Sequence, residues 1–353
     1  MKKTTKLLFG LIAPLLLVGC GDSKDPTKPA TPSGDPTPSG QPGTPTPSGE
    51  PTPSGTPTPS AKKFKIGIDQ LVTHPALDAA TQGFIDAVKE GLGEDNVEFD
   101  LQNAAGDAIL CSTISNKFVS QNVDLIMANA TPALQAAANS TDTIPVLGTS
   151  ITEYGVALNI ENFDGTVGGN VSGTSDLAPL TEQAQMLVDV FTGVKKVGLL
   201  YCSAEANSKY QVDVIKAELE KKDVEAELIS FSDSNDLSPI LMGKINSVDA
   251  IYIPTDNTCA SNSEIINSIC LDAAKPVFAG EEGLCKGCGA ITLSISYYNI
   301  GLKTGQMAVD ILKNGKDIAT MPIAYDENPV KKYNPEICQE LGIEVPEGYE
   351  AIE

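Results

Sequence analysis

Short apolar segments alternate with helical segments over most of the chain, and this alternation limits the fold to the α/β class. Residues 64–68 form a β-rich run, and residues 76–92 repeat their apolar side chains with a helical period. Further strands are predicted at 97–101, 125–128 and 145–147, with helices at 107–120 and 132–139. Apolar strands separated by amphipathic helices are typical of a parallel sheet covered on both faces.

The alternation is interrupted once, and this interruption divides the predicted body into two lobes. Residues 165–173 are rich in glycine, and the strand and helix pattern then begins again. The second set contains strands at 197–201, 225–230, 250–253 and 277–279 and helices at 179–191, 207–222, 235–246 and 258–274. Two such sets predict two doubly wound parallel-sheet lobes.

The first 62 residues differ in composition from the rest of the chain. A basic start and an apolar run over residues 7–18 predict a secretory signal peptide over residues 1–19, too short to span a bilayer. Cys20 directly follows Leu-Val-Gly, which resembles the lipobox of bacterial lipoproteins and implies that its thiol is lipidated. Residues 20–62 repeat Pro-Thr-Pro-Ser-Gly and predict a disordered tether. We therefore expect an extracytoplasmic protein, anchored by lipid to the membrane of a bacterial cell.

The charge pattern restricts the partners of the chain. The formal net charge is −22, and all 24 basic residues are Lys. This balance disfavours nucleic acid and anionic lipid surfaces as partners. Because the chain has no Arg, a ligand carboxylate or phosphate must be held by backbone N–H groups, hydroxyl groups or Lys.

The cysteines indicate neither a metal site nor a complete set of disulfides. Seven remain after Cys20, and an odd number leaves at least one thiol unpaired. Cys285 and Cys288 have the spacing of half a zinc site, but the chain has a single His, His74, so we predict no metal and no cofactor. A disulfide among Cys270, Cys285 and Cys288 stays open, and buried thiols are favoured.

The residues that come directly after the predicted strands are mostly polar. Ligands of doubly wound sheets bind beyond the carboxyl ends of the strands, so these residues are the candidate site. Helix N-termini at Thr131 and Asn207 offer N–H groups to an anion, and Asp256 with Glu281 or Glu282 offers carboxylates to an ammonium group. Each such residue alone is more often a helix cap, but together they predict a site for a zwitterion. The full set of candidates is Gln70, His74, Thr131, Thr149, Ser150, Ser175, Ser203, Glu205, Asn207, Ser208, Asp256, Asn257, Glu281 and Tyr297.

Several of these segments also resemble a known family. Residues 66–78 are similar to the opening of the ABC-transporter substrate-binding proteins of the tryptophan/tyrosine uptake type. The resemblance extends over about residues 63–343 and includes segments 130–133, 173–176, 203–208, 254–257 and 280–283. It implies a periplasmic-binding-protein type I fold, in which two lobes joined by three crossing strands close on a ligand at a hinge. We accordingly assign residues 63–174 with 294–320 to the N-terminal lobe, and residues 175–293 with 321–353 to the C-terminal lobe.

The resemblance also implies a function and roles for individual residues. It implies a monomer that captures an aromatic amino acid (tyrosine, tryptophan or phenylalanine) and delivers it to ABC permease and ATPase subunits. Thr131 and Thr149 would contact the carboxylate or amino group, and Asp256 would contact the ammonium group. His74 and Gln70 would border the side-chain pocket, and Tyr297 is one of the tyrosines that could stack on a ring. The segments 149–155 and 285–288, with Cys202, differ from the usual family pattern.

Other functions remain open at this stage. An enzyme is disfavoured because the chain has one His, no Gly-x-Ser-x-Gly elbow and no phosphate-binding loop. The ligand could instead be a nucleoside or another small metabolite. The long tether would also suit a surface adhesin built on the same fold.

Overall fold

The computed structural model describes residues 63–326 and 328–353. The predicted signal peptide (1–19), the tether (20–62) and Cys20 lie outside the described residues. Among the helices that are described, none combines the length and the hydropathy needed to cross a membrane.

Strands and helices alternate along the described chain. The first set is β1 Phe64–Gln70, α1 Pro75–Leu92, β2 Val97–Asn103, α2 Ala108–Ser120, β3 Leu125–Asn129, α3 Thr131–Ser140, β4 Val146–Ile151, α4 Tyr154–Leu158 and β5 Val171–Ser175. The second set is α5 Leu180–Val190, β6 Lys196–Cys202, α6 Ala206–Glu220, β7 Glu225–Phe231, α7 Ser234–Lys244, β8 Ala250–Ile253, α8 Asn257–Ser261, α9 Ser263–Asp272, β9 Val277–Ala279, α10 Glu282–Cys288 and β10 Ile291–Ser294. The chain ends with α11 Tyr297–Leu312, β11 Ala324–Tyr325, β12 Val330–Tyr333, α12 Pro335–Leu341 and β13 Glu350–Ala351. Single turns of 3₁₀ helix occupy Glu94–Asn96, Ile245–Ser247 and Ile318–Thr320.

The strands form two sheets, which we call the first and the second lobe with the helices that cover them. The first sheet has the order β11-β5-β4-β3-β1-β2, and the second has the order β13-β12-β10-β9-β8-β6-β7. All pairings between these strands are parallel except that of β12 with β10. The central strands β3 and β8 are buried along their whole length, as parallel strands covered on both faces must be. The predicted class of two doubly wound lobes is confirmed.

The chain passes between the two lobes three times. The crossings lie between β5 and α5, between β10 and α11, and between β11 and β12. Strand pairing places the last crossing later than the sequence boundary at residue 321, because Ala324 pairs with Thr174 and Tyr325 with Ser175 in the first sheet. A two-residue strand carries no periodic signal, which is why the sequence did not indicate it.

One predicted helix is divided in the structure. The segment 258–274 forms α8 and α9, and Asn262 between them leaves helical geometry at φ −121° and ψ 22°. The Asn262 side chain donates to the backbone oxygen of Thr258 over 2.8 Å, which satisfies a carbonyl at the end of α8. The break keeps α8 as a separate short turn at the end of β8.

The helices α1 and α11 pack with their backbones in direct contact. A Cβ atom placed on Gly301 would lie 2.1 Å from the backbone oxygen of Ala80, and one on Gly83 would lie 2.2 Å from that of Tyr298. Only glycine permits this approach at the two positions. The contact fixes α11, which follows the second crossing, onto the first lobe.

The cysteines contribute to the hydrophobic cores. Cys111, Cys202, Cys259, Cys270, Cys285, Cys288 and Cys338 are all buried free thiols. Among residues 63–326 and 328–353, no group of three or more His, Cys, Asp or Glu side chains is arranged to hold a metal ion.

Candidate ligand-binding site

A narrow cavity lies at the carboxyl ends of strands from both sheets. This is the edge at which open α/β sheets bind ligands. Its lining is His74, Leu77, Ser150, Asp176, Asn207, Thr255, Asp256, Asn257, Ala260, Glu281 and Tyr297. The first lobe and the second lobe both contribute, so a ligand here would touch both.

The two lobes meet around this cavity. His74 Nε2 of the first lobe lies 3.2 Å from Asn257 Oδ1 of the second, and the hydroxyl oxygens of Thr152 and Thr255 lie 3.3 Å apart. Both contacts join residues from different lobes. The structure therefore shows the lobes closed on each other.

Half of the candidate residues from the sequence line the cavity. Each of them lies at the end of a strand or at the start of a helix, and the ends of the parallel strands bring them together. They are His74, Ser150, Asn207, Asp256, Asn257, Glu281 and Tyr297. Their contact with a ligand stays a prediction.

The other candidates do not line the cavity, and the polar groups of several are paired elsewhere. The Gln70 amide donates to Val72 O and to Asp78 Oδ1 over 2.9 and 2.7 Å. The exposed Ser203 donates to the backbone oxygen of Phe231 over 3.0 Å. The full group is Gln70, Thr131, Thr149, Ser175, Ser203, Glu205 and Ser208.

Thr149 belongs to a chain of buried hydroxyl groups inside the first lobe. Its Oγ1 lies 3.2 Å from that of Thr174, which lies 2.8 Å from that of Thr304 in α11. Thr304 donates to the backbone oxygen of Ile300, so the chain ends on a carbonyl group. Thr149 thus links the sheet to α11, and its hydroxyl group is already paired.

Four residues of the lining were not candidates: Leu77, Asp176, Thr255 and Ala260. Asp176 is the one with charge. It follows β5 directly, at the first crossing between the lobes, and is 4 % exposed. Its position, an acidic residue at a strand end just after the glycine-rich interruption at residues 165–173, could have indicated a site residue. In the sequence, Asp176 entered only as part of the family-like segment 173–176.

The three carboxylates of the lining differ in the bonds that they already accept. Asp256 accepts from the backbone N–H groups of Cys202 and Cys259, over 2.7 and 2.8 Å, and caps α8. Glu281 accepts from two backbone N–H groups and caps α10. Asp176 accepts on Oδ2 from the Tyr297 hydroxyl over 2.8 Å, and its buried Oδ1 has no partner. Asp176 therefore has an acceptor still available to a ligand.

Burial shifts the protonation of the lining. It raises the pKa of Asp176 to about 6 and that of Glu281 to about 7. It also raises the pKa of Asp256, with a further contribution from the negative charge of nearby Glu205. Burial lowers the pKa of His74, so the ring is neutral near pH 7. The lining thus contains acidic groups and no cationic side chain.

Four buried polar atoms of the lining have no hydrogen-bond partner. They are His74 Nδ1, Ser150 Oγ, Asp176 Oδ1 and Asn207 Oδ1. The Asn207 amide nitrogen donates to the backbone oxygen of Thr255 over 2.9 Å, which leaves its oxygen to the cavity. Ser150 has a φ of 57°, a left-handed conformation that is uncommon outside glycine. Buried polar atoms are normally paired, so their convergence indicates a ligand that brings mainly hydrogen-bond donors.

Comparisons with known proteins agree with this geometry. The sequence profile of the ABC transporter substrate binding protein family matches residues 65–351. A tyrosine-binding protein of Clostridioides difficile strain R20291 is 35% identical over 267 residues, which are 74% of this chain and 76% of that protein.

Two solved structures are also similar. The ABC domain in complex with L-Trp from Streptococcus pneumonia has 33% identity and a TM-score of 0.78, and covers 82% of this chain and 100% of its own. The ligand-free, open structure of a substrate-binding protein with adhesive properties from Clostridium difficile has 35% identity, a TM-score of 0.64 and coverages of 82% and 99%. The L-Trp complex superposes better at similar identity, in agreement with the contacts that close the lobes here.

Proposed function

Because this chain belongs to the ABC transporter substrate-binding protein family, we propose that it captures an aromatic amino acid outside the cytoplasm and delivers it to an ABC importer. The relatives named tyrosine-binding and solved with L-Trp support this ligand class. The observation that carries the proposal is the convergence of four unpartnered polar atoms on one cavity between the lobes. The partners implied by the family are the permease and ATPase subunits of the importer.

The amino group of the ligand is assigned to Asp176. Its free Oδ1 and the free side-chain oxygen of Asn207, both in the lining, offer acceptors to an ammonium group. The sequence alone predicts Asp256 in this role. Asp256 already accepts two backbone N–H groups, so it supports the site chiefly by holding the start of α8 and by its negative charge. The hydroxyl group of Ser150 donates to the ligand carboxylate, since no Lys or Arg lines the cavity.

The aromatic part of the ligand is assigned to the remaining lining. Leu77, Ala260 and the ring of Tyr297 supply apolar surface in the cavity. The neutral His74 ring offers a hydrogen-bond acceptor within the same lining. An apolar surface with one polar group suits a ring that carries a single donor, as phenol and indole do.

Titration calorimetry with the twenty amino acids and with purine nucleosides tests the ligand class. We expect micromolar or tighter binding of tyrosine, tryptophan or phenylalanine, and no binding of leucine or glutamate. Asp176→Asn should weaken that binding by about a hundredfold or more, because loss of one partner of a buried charge pair costs about 3–5 kcal/mol. The surface variant Asp142→Asn is the matched control and should bind as the wild type does.

Two results would contradict this assignment. Binding of a nucleoside alone would replace the ligand class while leaving the family and the fold intact. Full affinity in Asp176→Asn, together with a large loss in Asp256→Asn, would return the ammonium group to Asp256.

Anchoring to the membrane by Cys20 is also part of the proposal. The lipobox-like segment before Cys20 and the proline-rich repeats after it support a lipidated N-terminus and a tether. We expect Cys20→Ala to move the protein from the membrane fraction to the medium, as followed by immunoblotting of cell fractions. Retention of this variant in the membrane fraction would contradict the lipid anchor.

A further inference from the structure

The only histidine of the chain is connected to a carboxylate that lies outside the cavity. His74 Nε2 meets Asn257 Oδ1 across the lobes over 3.2 Å, and the amide nitrogen of Asn257 donates to Glu205 Oε2 over 2.7 Å. Glu205 is 5 % exposed and does not line the cavity. Glu205, Asn257 and His74 thus form a continuous chain of hydrogen bonds from the second lobe to the ligand site.

Glu205 holds the start of α8 in one orientation. Its Oε2 accepts from the backbone N–H of Asn257 over 3.0 Å as well as from the side chain. Its Oε1 accepts from the backbone N–H and the hydroxyl group of Thr258, over 2.9 and 2.8 Å. Since Glu205 takes the amide nitrogen of Asn257, the amide oxygen must face His74.

This orientation determines which ring nitrogen of His74 carries hydrogen. An amide oxygen can only accept, so His74 Nε2 must donate to it. Burial lowers the pKa of His74, so the neutral ring has one hydrogen, and that hydrogen is on Nε2. Nδ1 is then a bare acceptor, and it is buried in the cavity lining without a partner.

We propose that Glu205 is a positioning residue that sets the tautomer of His74 through Asn257 and thereby selects ligands with a hydrogen-bond donor on the ring. This inference rests on the proposed function. A phenol O–H or an indole N–H can donate to Nδ1, whereas an unsubstituted phenyl ring leaves this buried acceptor unpaired. The opposite tautomer would present an N–H group to the cavity and would lose the preference for a donor.

Nuclear magnetic resonance reads the tautomer directly. With ¹⁵N-labelled histidine, the chain gives one imidazole ring, because His74 is its only histidine. The chemical shifts of the two nitrogens distinguish Nε2–H, Nδ1–H and the doubly protonated ring. We expect Nε2–H in the wild type at pH 7, and a mixture of tautomers in Glu205→Ala.

Calorimetry with L-tyrosine and L-phenylalanine measures the consequence. The wild type should bind tyrosine at least about tenfold more tightly than phenylalanine, since an unsatisfied buried acceptor costs about 1–3 kcal/mol. In Glu205→Ala this ratio should fall toward one. If Glu205→Ala does not fold, Asn257→Ala tests the same link between tautomer and ligand preference. It removes the amide between Glu205 and His74 and keeps the bonds of Glu205 to backbone N–H groups. Asp69→Asn, a buried carboxyl change outside the cavity, should leave tautomer and ratio unchanged.

The outcomes separate this inference from the function on which it rests. A wild-type ring with hydrogen on Nδ1 or on both nitrogens overturns the inference, as does a variant that mixes the tautomers and keeps the full preference for tyrosine. Equal binding of tyrosine and phenylalanine by the wild type also overturns it while leaving the proposed function in place. Absence of binding of any aromatic amino acid overturns the proposed function itself.

Discussion

Asp69 is a buried carboxyl group that lies outside the ligand cavity. It is fully buried, its Oδ2 accepts from the Ser115 hydroxyl over 2.9 Å, and its Oδ1 has no partner. Burial raises its pKa from 3.8 to about 7, against smaller opposing effects of hydrogen bonds from Ser115 and Cys111. The native state therefore holds this proton more tightly than the unfolded state does, and Asp69 makes stability depend on pH.

We expect Asp69→Asn to stabilise the protein at neutral pH and to have little effect near pH 3. Between pH 3.8 and about 7 the unfolded chain releases this proton while the native state retains it, so the native state loses relative stability as pH rises. The loss is complete above about pH 7 and amounts to at most about 4 kcal/mol, which the amide avoids. Urea unfolding at several pH values measures the difference in free energy of unfolding.

The exposed Asp142→Asn is the matched control for this prediction. A surface substitution should change the free energy of unfolding by about 0.5 kcal/mol or less at each pH. If the gain from Asp69→Asn were the same at pH 3 and pH 7, the buried proton of Asp69 would not be its cause.

At the scale of elements, the contact between α1 and α11 depends on the absence of side chains. We expect Gly301→Ala to lower the free energy of unfolding by about 1–3 kcal/mol, because the new methyl group would overlap the backbone oxygen of Ala80 and push the helices apart. Chemical denaturation followed by circular dichroism checks this value.

Gly243 in α7 provides the matched control for the same substitution. A Cβ atom there would meet no other atom within 4 Å. Gly243→Ala should therefore stabilise the protein by roughly 0.5–1 kcal/mol, through helix propensity alone. Destabilisation by both substitutions would mean that the crowding at Gly301 is not the cause.

The elements also show what the sequence could indicate. Strands such as β1 and β6 are continuous apolar runs next to segments with a helical period, so their positions follow from the pattern. The strand β11 has two residues and is recognised only through its pairing with β5. Short elements of this kind depend on tertiary contacts, which local sequence does not contain.

The side chains of the candidate site could likewise be predicted only in part from the sequence. Convergence of strand ends follows from topology, so Ser150, Asp256 and Glu281 could be expected near one another. Which oxygens remain free depends on bonds made after folding. Each carboxylate oxygen of Asp256 accepts a backbone N–H group, whereas Oδ1 of Asp176 has no partner. Composition and spacing do not reveal this difference.

At the scale of the molecule, the three crossing segments leave the lobes joined around a closed cavity. The contacts of His74 with Asn257 and of Thr152 with Thr255 join residues of different lobes and would be lost on opening. A ligand that pairs Ser150 of the first lobe and Asn207 of the second adds bonds that exist only when the lobes are closed. Such a ligand must shift the population toward the closed arrangement.

We therefore expect small-angle scattering of the Cys20→Ala form to give a smaller radius of gyration with saturating L-tyrosine than without it. Residues 20–62 are present in both samples, so the difference between the curves reports the lobes. The variant Asp176→Asn at the same tyrosine concentration serves as the control. It should bind tyrosine about a hundredfold more weakly, so its radius of gyration should not change. Identical curves for the Cys20→Ala protein with and without tyrosine, with saturation verified by calorimetry, would mean that the lobes do not close when the ligand binds. The ligand would then bind the open and the closed arrangement equally well, and the proposed closure would be wrong.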